Sequence, residues 1–317
     1  MERCLVTGAA GFIGSHVCEA LLEQDVAVVG IDAFIPYYDE VIKRHNLETS
    51  LLYDSFMLHE TDLRTGQLAA LVDGCDTLIH LAAMPGLRRS WSDFQLYCSC
   101  NVEGTQRLLE AAVEAKVKHF IHGSTSSVYG KEALGPETSP LQPYSPYGLT
   151  KLAAEHLCRA YAKNFEIPIT ILRFFSVYGP RQRPDMAYSI LMDCLMHNRP
   201  FQRFGDGEQS RSNTFVADCV SAILLAADQP ERAKAETFNV GGGEVVSLNE
   251  VIRMLQEITG RQLKIEERPA LPGDQAHTRA DSARIREMLG FNPTTPVREG
   301  LEAQVAWFQE RSPEGSR

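Results

Sequence analysis

Thr7-Gly8-Ala9-Ala10-Gly11-Phe12-Ile13-Gly14 is the stretch on which the fold turns. The apolar run Cys4-Leu5-Val6-Thr7 leads into it, and Ile13, Val17, Ala20 and Leu21 leave it at helical spacing. The pattern predicts a strand, a tight turn and a helix. Glycine suits such a junction because the chain turns sharply, its backbone must come close to what lies across the turn, and the helix must press on the strand. The free N–H groups and positive dipole end of the helix then favour an anion such as a pyrophosphate. A glycine trio alone is weak, but it is joined by Asp32, which closes the apolar run Val26-Ala27-Val28-Val29-Gly30-Ile31. An acid at the end of a second strand suits two ribose hydroxyls and repels a 2′-phosphate. A dinucleotide site of the NAD type is therefore expected from Gly8, Gly11, Phe12, Ile13, Gly14 and Asp32.

Outward from this turn the alternation continues. Asp76–Leu81 and Phe120–Ser124 read as strands, with a helix from about Phe94 to Ala115 between them. A helix from about Tyr147 to Phe165 and the strand Ile169–Phe174 follow. Strands alternating with helices imply a doubly wound parallel sheet. After Phe174 the chain becomes rich in loops, at Gly179–Pro184, Gly205–Glu208 and Pro269–Asp274, as expected of a smaller lobe over the strand ends. The expected division is residues 1–175 with about 213–240 as the dinucleotide domain, and 176–212 with 241–317 as the second lobe.

Composition fits this reading. Of 317 residues, 44% are hydrophobic and 23% charged, which excludes disorder as the main state. The net charge of −10 argues against a nucleic-acid partner, which needs a basic field. No apolar run approaches membrane-spanning length, and the opening residues run straight into a core strand, so a cytoplasmic protein is expected. The eight cysteines are scattered, and Cys98 and Cys100 lack zinc-finger spacing, so no metal and no disulfide is expected.

Tyr147-Gly148-Leu149-Thr150-Lys151 puts a phenol and an ammonium one helical turn apart on one face. A free phenol is a poor base at neutral pH, and a nearby cation favours the phenolate. Tyr147 is thus a candidate to take a proton from a hydroxyl while hydride leaves the same carbon. Ser124-Thr125-Ser126-Ser127 adds hydroxyls just past a strand end, where sheets of this type place their sites.

The G-x-x-G-x-x-G spacing, Asp62-Leu63, His80-Leu81-Ala82-Ala83, Asn101–Thr105 and the Tyr147/Lys151 pair together resemble the extended short-chain dehydrogenase/reductase family, whose fold is of the Rossmann type. The resemblance implies that Asp62, Leu63, Leu81, Ala82, Ala83, Ser124, Tyr147 and Lys151 also contact NAD. It further implies that Thr125, aligned on Val128-Tyr129-Gly130, acts with Tyr147 and Lys151 in catalysis, and that the protein is a homodimer paired through two long helices. Read without the family, Asp62 would cap a helix near Leu68.

Arg183-Pro184-Asp185-Met186-Ala187 and the loop Ala83–Arg88 resemble elements of the UDP-glucuronate 4-epimerases within that family. A hexuronate needs a cation at its carboxylate, for which Arg183 is the first candidate and Arg88 the second. Gly205–Arg211 resembles the family's nucleotide-binding segment, which puts Arg211 on the diphosphate. Pro272-Gly273-Asp274 matches a further element, although relatives carry Arg where Leu271 stands. Pro85, Gly86, Ser126, Ser127 and Ser176 complete the expected substrate contacts, with Thr125 and Tyr147. Related dehydratases carry Asp-Glu at 126–127, decarboxylases a Glu at 127, and neutral-sugar epimerases a Lys at 85 and an Asn at 176. The expectation is NAD-dependent 4-epimerisation of a UDP-hexuronic acid. The alternatives are decarboxylation to UDP-xylose and epimerisation of a neutral UDP-hexose. A non-catalytic NAD-binding scaffold would have no need of Thr125, Tyr147 and Lys151 together.

Overall fold

The computed structural model describes residues 1–269 and 277–311. Seven strands build one parallel sheet: β1 (Arg3–Thr7), β2 (Ala27–Asp32), β3 (Phe56–Glu60), β4 (Thr77–His80), β5 (His119–Thr125), β6 (Ile169–Phe174) and β7 (Thr237–Val240). Their spatial order is β7-β6-β5-β4-β1-β2-β3. The chain runs outward from β1 to β3, then returns to lay β4 against the other side of β1. That reversal opens a crevice at the carboxyl ends of β1 and β4, where open α/β sheets bind ligands.

Strand alternation divides the core. Cys4, Val6, Val28, Ile79, Ile121 and Leu172 pack on one face with α1 (Phe12–Leu22) and a later helix (Val216–Asp228). Leu5, Val29, Ile31, Leu78, Phe120 and Ile171 pack on the other with α2 (Gly104–Glu114) and α3 (Pro146–Phe165). Because successive side chains point to opposite faces, continuous apolar runs are what a sheet covered on both sides requires.

The stretch expected as one helix from Phe94 is interrupted. Ser99–Glu103 forms a π-helical segment between the α-helical Phe94–Cys98 and α2. The widened turn holds Asn101, whose amide accepts from the Met84 N–H at 2.6 Å and donates to the Met84 carbonyl and the Thr150 hydroxyl. One side chain therefore ties the loop after β4 to α3. Asp62 caps no helix, since the nearest begins at Ala69 with Leu68 at its cap.

The later chain forms three short strand pairs: Val177–Tyr178 with Thr214–Phe215, Ser210–Ser212 with Val245–Ser247, and Phe201–Phe204 with Ile265–Arg268. Around them Tyr188, Leu191, Leu195, Val251, Leu255, Leu301 and Val305 make a separate apolar core. No helix among the described residues is long and apolar enough to cross a membrane.

Candidate active site

The three glycines of the first turn are needed for different reasons. Gly8 has φ +73°, and a Cβ there would lie 2.9 Å from the Ala82 nitrogen. A Cβ on Gly14 would lie 2.0 Å from the Gly8 carbonyl oxygen, so α1 could not seat against the turn. Gly11 caps α1 with no side chain over its free N–H groups. The cradle therefore fits a pyrophosphate. Gly14→Ala should yield protein that purifies without dinucleotide, checked by absorbance of the acid-released cofactor, whereas Gly290→Ala, at a helix end with open space around it, should retain it.

Gly8, Gly11, Phe12, Ile13, Gly14, Asp32, Asp62, Leu63, Leu81, Ala82, Ala83, Pro85, Ser124, Tyr147, Lys151 and Arg183 all line one cleft of about 1260 Å³, its open mouth included. Asp32 accepts from the Phe34 N–H at 2.8 Å and the Ala10 N–H at 3.2 Å. Burial pushes its carboxyl up, opposed by the Lys43 ammonium. Lys43, itself buried and donating to the Ile35 carbonyl, lines the same end of the cleft and was not foreseen. Its signal in the sequence was only a cation eleven residues after an acid. Asp62 is gripped by Arg64, Nη2 to Oδ2 at 2.6 Å, and the guanidinium's Nη1 reaches the Ser99 hydroxyl. A glycine cradle for the pyrophosphate and an acid at the end of β2 for the ribose are what NAD requires of such a cleft.

α3 begins where the chemistry needs it. The Ser145 hydroxyl accepts from the Gly148 N–H at 3.1 Å and Pro146 fills the first turn, so Tyr147 stands at the helix start facing the cleft. The Thr125 hydroxyl at the end of β5 is near enough to favour the ionised form of the Tyr147 phenol. Burial raises the phenol's pKa, while Thr125 and the Arg183 cation oppose that rise. Lys151 is 3% exposed; its Nζ donates to the Gly123 carbonyl at 2.6 Å and stands 3.4 Å from His122 Nε2. Burial lowers its pKa to about 8, against the influence of Cys158 and Glu155. In this arrangement one ammonium hydrogen is directed to the β5 backbone, and the Arg183 cation also bears on the phenol. Catalytic use of Tyr147 at neutral pH thus leans on a further positive charge, such as an oxidised nicotinamide.

Behind this pair lies a buried ionic network. Glu155, one turn after Lys151 and fully buried, accepts from Arg173 Nε at 2.9 Å and Nη2 at 2.8 Å, from the Ser124 hydroxyl at 2.6 Å and from Arg159 at 3.0 Å. Arg173 Nη1 reaches the Tyr129 hydroxyl, which donates to Asn239. Neither Glu155 nor Arg173 stands out in the sequence, although Glu155 repeats the i, i+4 spacing that marks Lys151.

Toward the second lobe the placement is mixed. Arg183 grips Asp185 through Nε to Oδ1 at 2.9 Å and Nη2 to Oδ2 at 3.0 Å. Tyr37 donates to the same carboxylate at 3.3 Å and fills the space a Cβ on Gly86 would need. Arg88 stacks on the Phe204 ring, 4.8 Å from guanidinium to centroid, and does not line the cleft. Ser127 accepts from the Thr125 hydroxyl at 3.2 Å, and Ser126 is buried beside it. The Ser176 carbonyl accepts from the Thr214 N–H, which joins the lobe to the sheet side. Arg211 lies on the strand Ser210–Ser212, its Nη1 donating to the Ser210 carbonyl and its charge felt at Tyr188. Leu271 and Asp274 lie outside the described residues. No group of three His, Cys, Asp or Glu among the described residues is placed to hold a metal ion.

The sequence pattern of the NAD dependent epimerase/dehydratase family matches residues 4–241. A Bacillus subtilis (strain 168) protein described as an uncharacterized UDP-glucose epimerase, YtcB, is 43% identical over 96% of this chain and 98% of its own. A UDP-glucuronate 4-epimerase of Thermodesulfobacterium geofontis is 33% identical over 98% of this chain and 97% of its own. The crystal structure of UDP-glucuronic acid 4-epimerase from Bacillus cereus, in complex with UDP-glucuronic acid and NAD, superposes with a TM-score of 0.95 at 42% identity, over 98% of this chain and 100% of that one.

Proposed function

The chain belongs to the NAD dependent epimerase/dehydratase family, and from that membership we propose that it interconverts UDP-glucuronic acid and UDP-galacturonic acid by inverting C4. The observation that carries the sugar assignment is Arg183, a cation lining the cleft and acting directly on the Tyr147 phenol. A hexuronate brings its carboxylate close to the carbon being oxidised, and a guanidinium at that place answers it.

The glycine turn, Asp32 and Asp62 would hold NAD, which when bound would supply the hydride acceptor and donor that C4 inversion needs. Tyr147 removes the proton of the 4-hydroxyl in the first half of the reaction and returns it in the second. Thr125, whose hydroxyl favours the ionised phenol, assists that transfer. Lys151 supplies positive charge one turn below. Between the two halves the ketone turns about its diphosphate, which Arg211 holds. Ser126 and Ser127 offer hydroxyls to the sugar and no second acid or base, so the site is suited to oxidation and reduction alone.

The 4-ketone is β to the carboxylate carbon, and loss of carbon dioxide is the hazard. That loss needs the bond to the carboxylate aligned with the carbonyl π system. Arg183 holds the carboxylate away from that alignment, so positioning suppresses one reaction while favouring another. Arg183→Ala should lower kcat/KM for UDP-glucuronic acid on the order of 10²-fold, with a UDP-pentose among the products on proton NMR. Full epimerase activity in that variant would remove Arg183 from the mechanism.

The exposed apolar side chains Phe94, Leu149 and Phe165, near or on α3, support a homodimer in which α3 takes part. The deciding assay incubates the purified protein with UDP-glucuronic acid and, separately, with UDP-glucose, without added NAD, and follows both by proton NMR. Growth of UDP-galacturonic acid with UDP-glucose unchanged is expected. A UDP-pentose would make the protein a decarboxylase, and UDP-galactose would make it the neutral-sugar enzyme named for the Bacillus subtilis relative.

A further inference from the structure

His122 is fully buried on β5, three residues before Thr125. Phe120, His122 and Ser124 share the strand face turned toward α3, because alternate residues of a strand point the same way. On that face Ser124 bonds Glu155 and His122 meets Lys151, so two consecutive turns of α3 are each pinned to β5. The His122 Nε2 lies 3.4 Å from Lys151 Nζ. An ammonium has three N–H donors and no acceptor. Nε2 must therefore carry the lone pair, which fixes the ring proton on Nδ1. The Nδ1 atom is buried and has no hydrogen-bond partner among the described residues. A buried donor left without a partner is costly, and its persistence asks for an explanation.

We propose that His122 is a positioning residue for Lys151: its Nε2 takes one Nζ hydrogen and the Gly123 carbonyl a second, which leaves the third for the cleft. The proposal rests on the functional reading above. The ring stays neutral, since burial and the neighbouring Lys151, His80 and Arg159 all disfavour a charge on it. His80 cannot substitute, because both of its nitrogens are engaged, by Thr7 at 2.7 Å and Thr105 at 2.9 Å. The charged and titratable groups that face this corner are His80 from β4, Glu155, Cys158 and Arg159 from α3, and Arg183 across the cleft at Tyr147. Of the described side chains, His122 is the neutral acceptor at hydrogen-bond range of the Lys151 ammonium. Removing it should make the ammonium easier to deprotonate, so charge beside Tyr147 is lost at lower pH.

The first test uses the wild-type protein loaded with NAD and labelled with 15N-histidine, the His122 signals being assigned from their loss in His122→Gln. A neutral ring protonated at Nδ1 across the accessible pH range is expected. The Nε2-protonated tautomer, which could not accept from Lys151, would overturn the proposal whatever the substrate proves to be. The second test compares pH–rate profiles of His122→Gln, whose amide oxygen can replace Nε2, and His122→Met, which has no strong acceptor. The alkaline limb of kcat should fall by roughly one pH unit in His122→Met, the loss expected for one hydrogen bond to a charged group, and stay in place in His122→Gln. Tyrosinate absorbance of the NAD-loaded protein without sugar, each variant measured against its Tyr147→Phe counterpart, should show the Tyr147 titration moving upward in His122→Met only. Equal shifts in both variants, or none in either, would reduce His122 to a packing residue.

Discussion

Tyr147→Phe should lower kcat by about 10²- to 10⁴-fold, the range for removal of a positioned acid–base group, and leave the protein folded with NAD bound. The phenol lines the cleft, is favoured in its ionised form by Thr125 and Arg183, and stands a turn from Lys151. The ring would keep its edge-on packing against Tyr97, with centroids 6.4 Å apart, so the cleft wall survives the change. The loss should fall on kcat rather than on sugar affinity, because the proton is shared only while C4 is being oxidised or reduced. The measurement is the initial rate by proton NMR beside a titration of UDP-glucuronic acid binding by calorimetry. A variant that keeps more than a tenth of the wild-type rate would move the proton-transfer role to Thr125.

The largest effect on stability should come from Glu155→Ala, about 3–5 kcal/mol. The substitution leaves the Arg173 guanidinium, 1% exposed, with no carboxylate and strands the Ser124 hydroxyl as well. In thermal terms this is a melting temperature lower by on the order of 10 °C, read by calorimetry on NAD-loaded protein. Burial pushes the Glu155 carboxyl up, but Arg173, Ser124 and Arg159 outweigh that and hold it below the usual carboxylate range. A group depressed in the folded state contributes its stability above the ordinary carboxylate pKa and loses it as pH falls through the folded value. Wild type and Glu155→Ala should therefore converge in stability under strongly acid conditions. A variant within 1 kcal/mol of wild type at neutral pH, a margin well under the cost of stranding a buried charge, would show that water or repacking replaces the ion pair.

The legible parts of this sequence were those with local physical causes. The glycine turn declares itself because each glycine answers a separate steric demand within eight residues. β1 and β2 read as strands because both faces are covered and the apolar run is nearly continuous, and β5 and β6 because short apolar runs are bounded by helical patterns. Strand β3 carried no such signal: Phe56-Met57-Leu58-His59-Glu60 lies at the sheet edge and is half-exposed along its length. Strand β7 is only four residues long and sits far along the chain from its neighbour β6. The π-helical turn at Ser99–Glu103 follows from what Asn101 bonds across space, which no helical periodicity encodes. The same holds at the site. Tyr147 and Lys151 are fixed by spacing on one helix, whereas Lys43, Tyr37 and Asp185 gain meaning only when separate loops meet. The direction of the Lys151 ammonium could not be read either, because its partners come from β5.

Arg183 and Asp185 lie two residues apart in the chain and grip each other through two hydrogen bonds. A cation inserted alone into a cleft built for a neutral sugar would arrive without a counter-ion and would cost stability before any acidic sugar reached it. Here charge and counter-charge travel together in one short loop. On the role proposed for Arg183, acid selectivity would be portable, because a five-residue exchange would carry the cation and its counter-ion together.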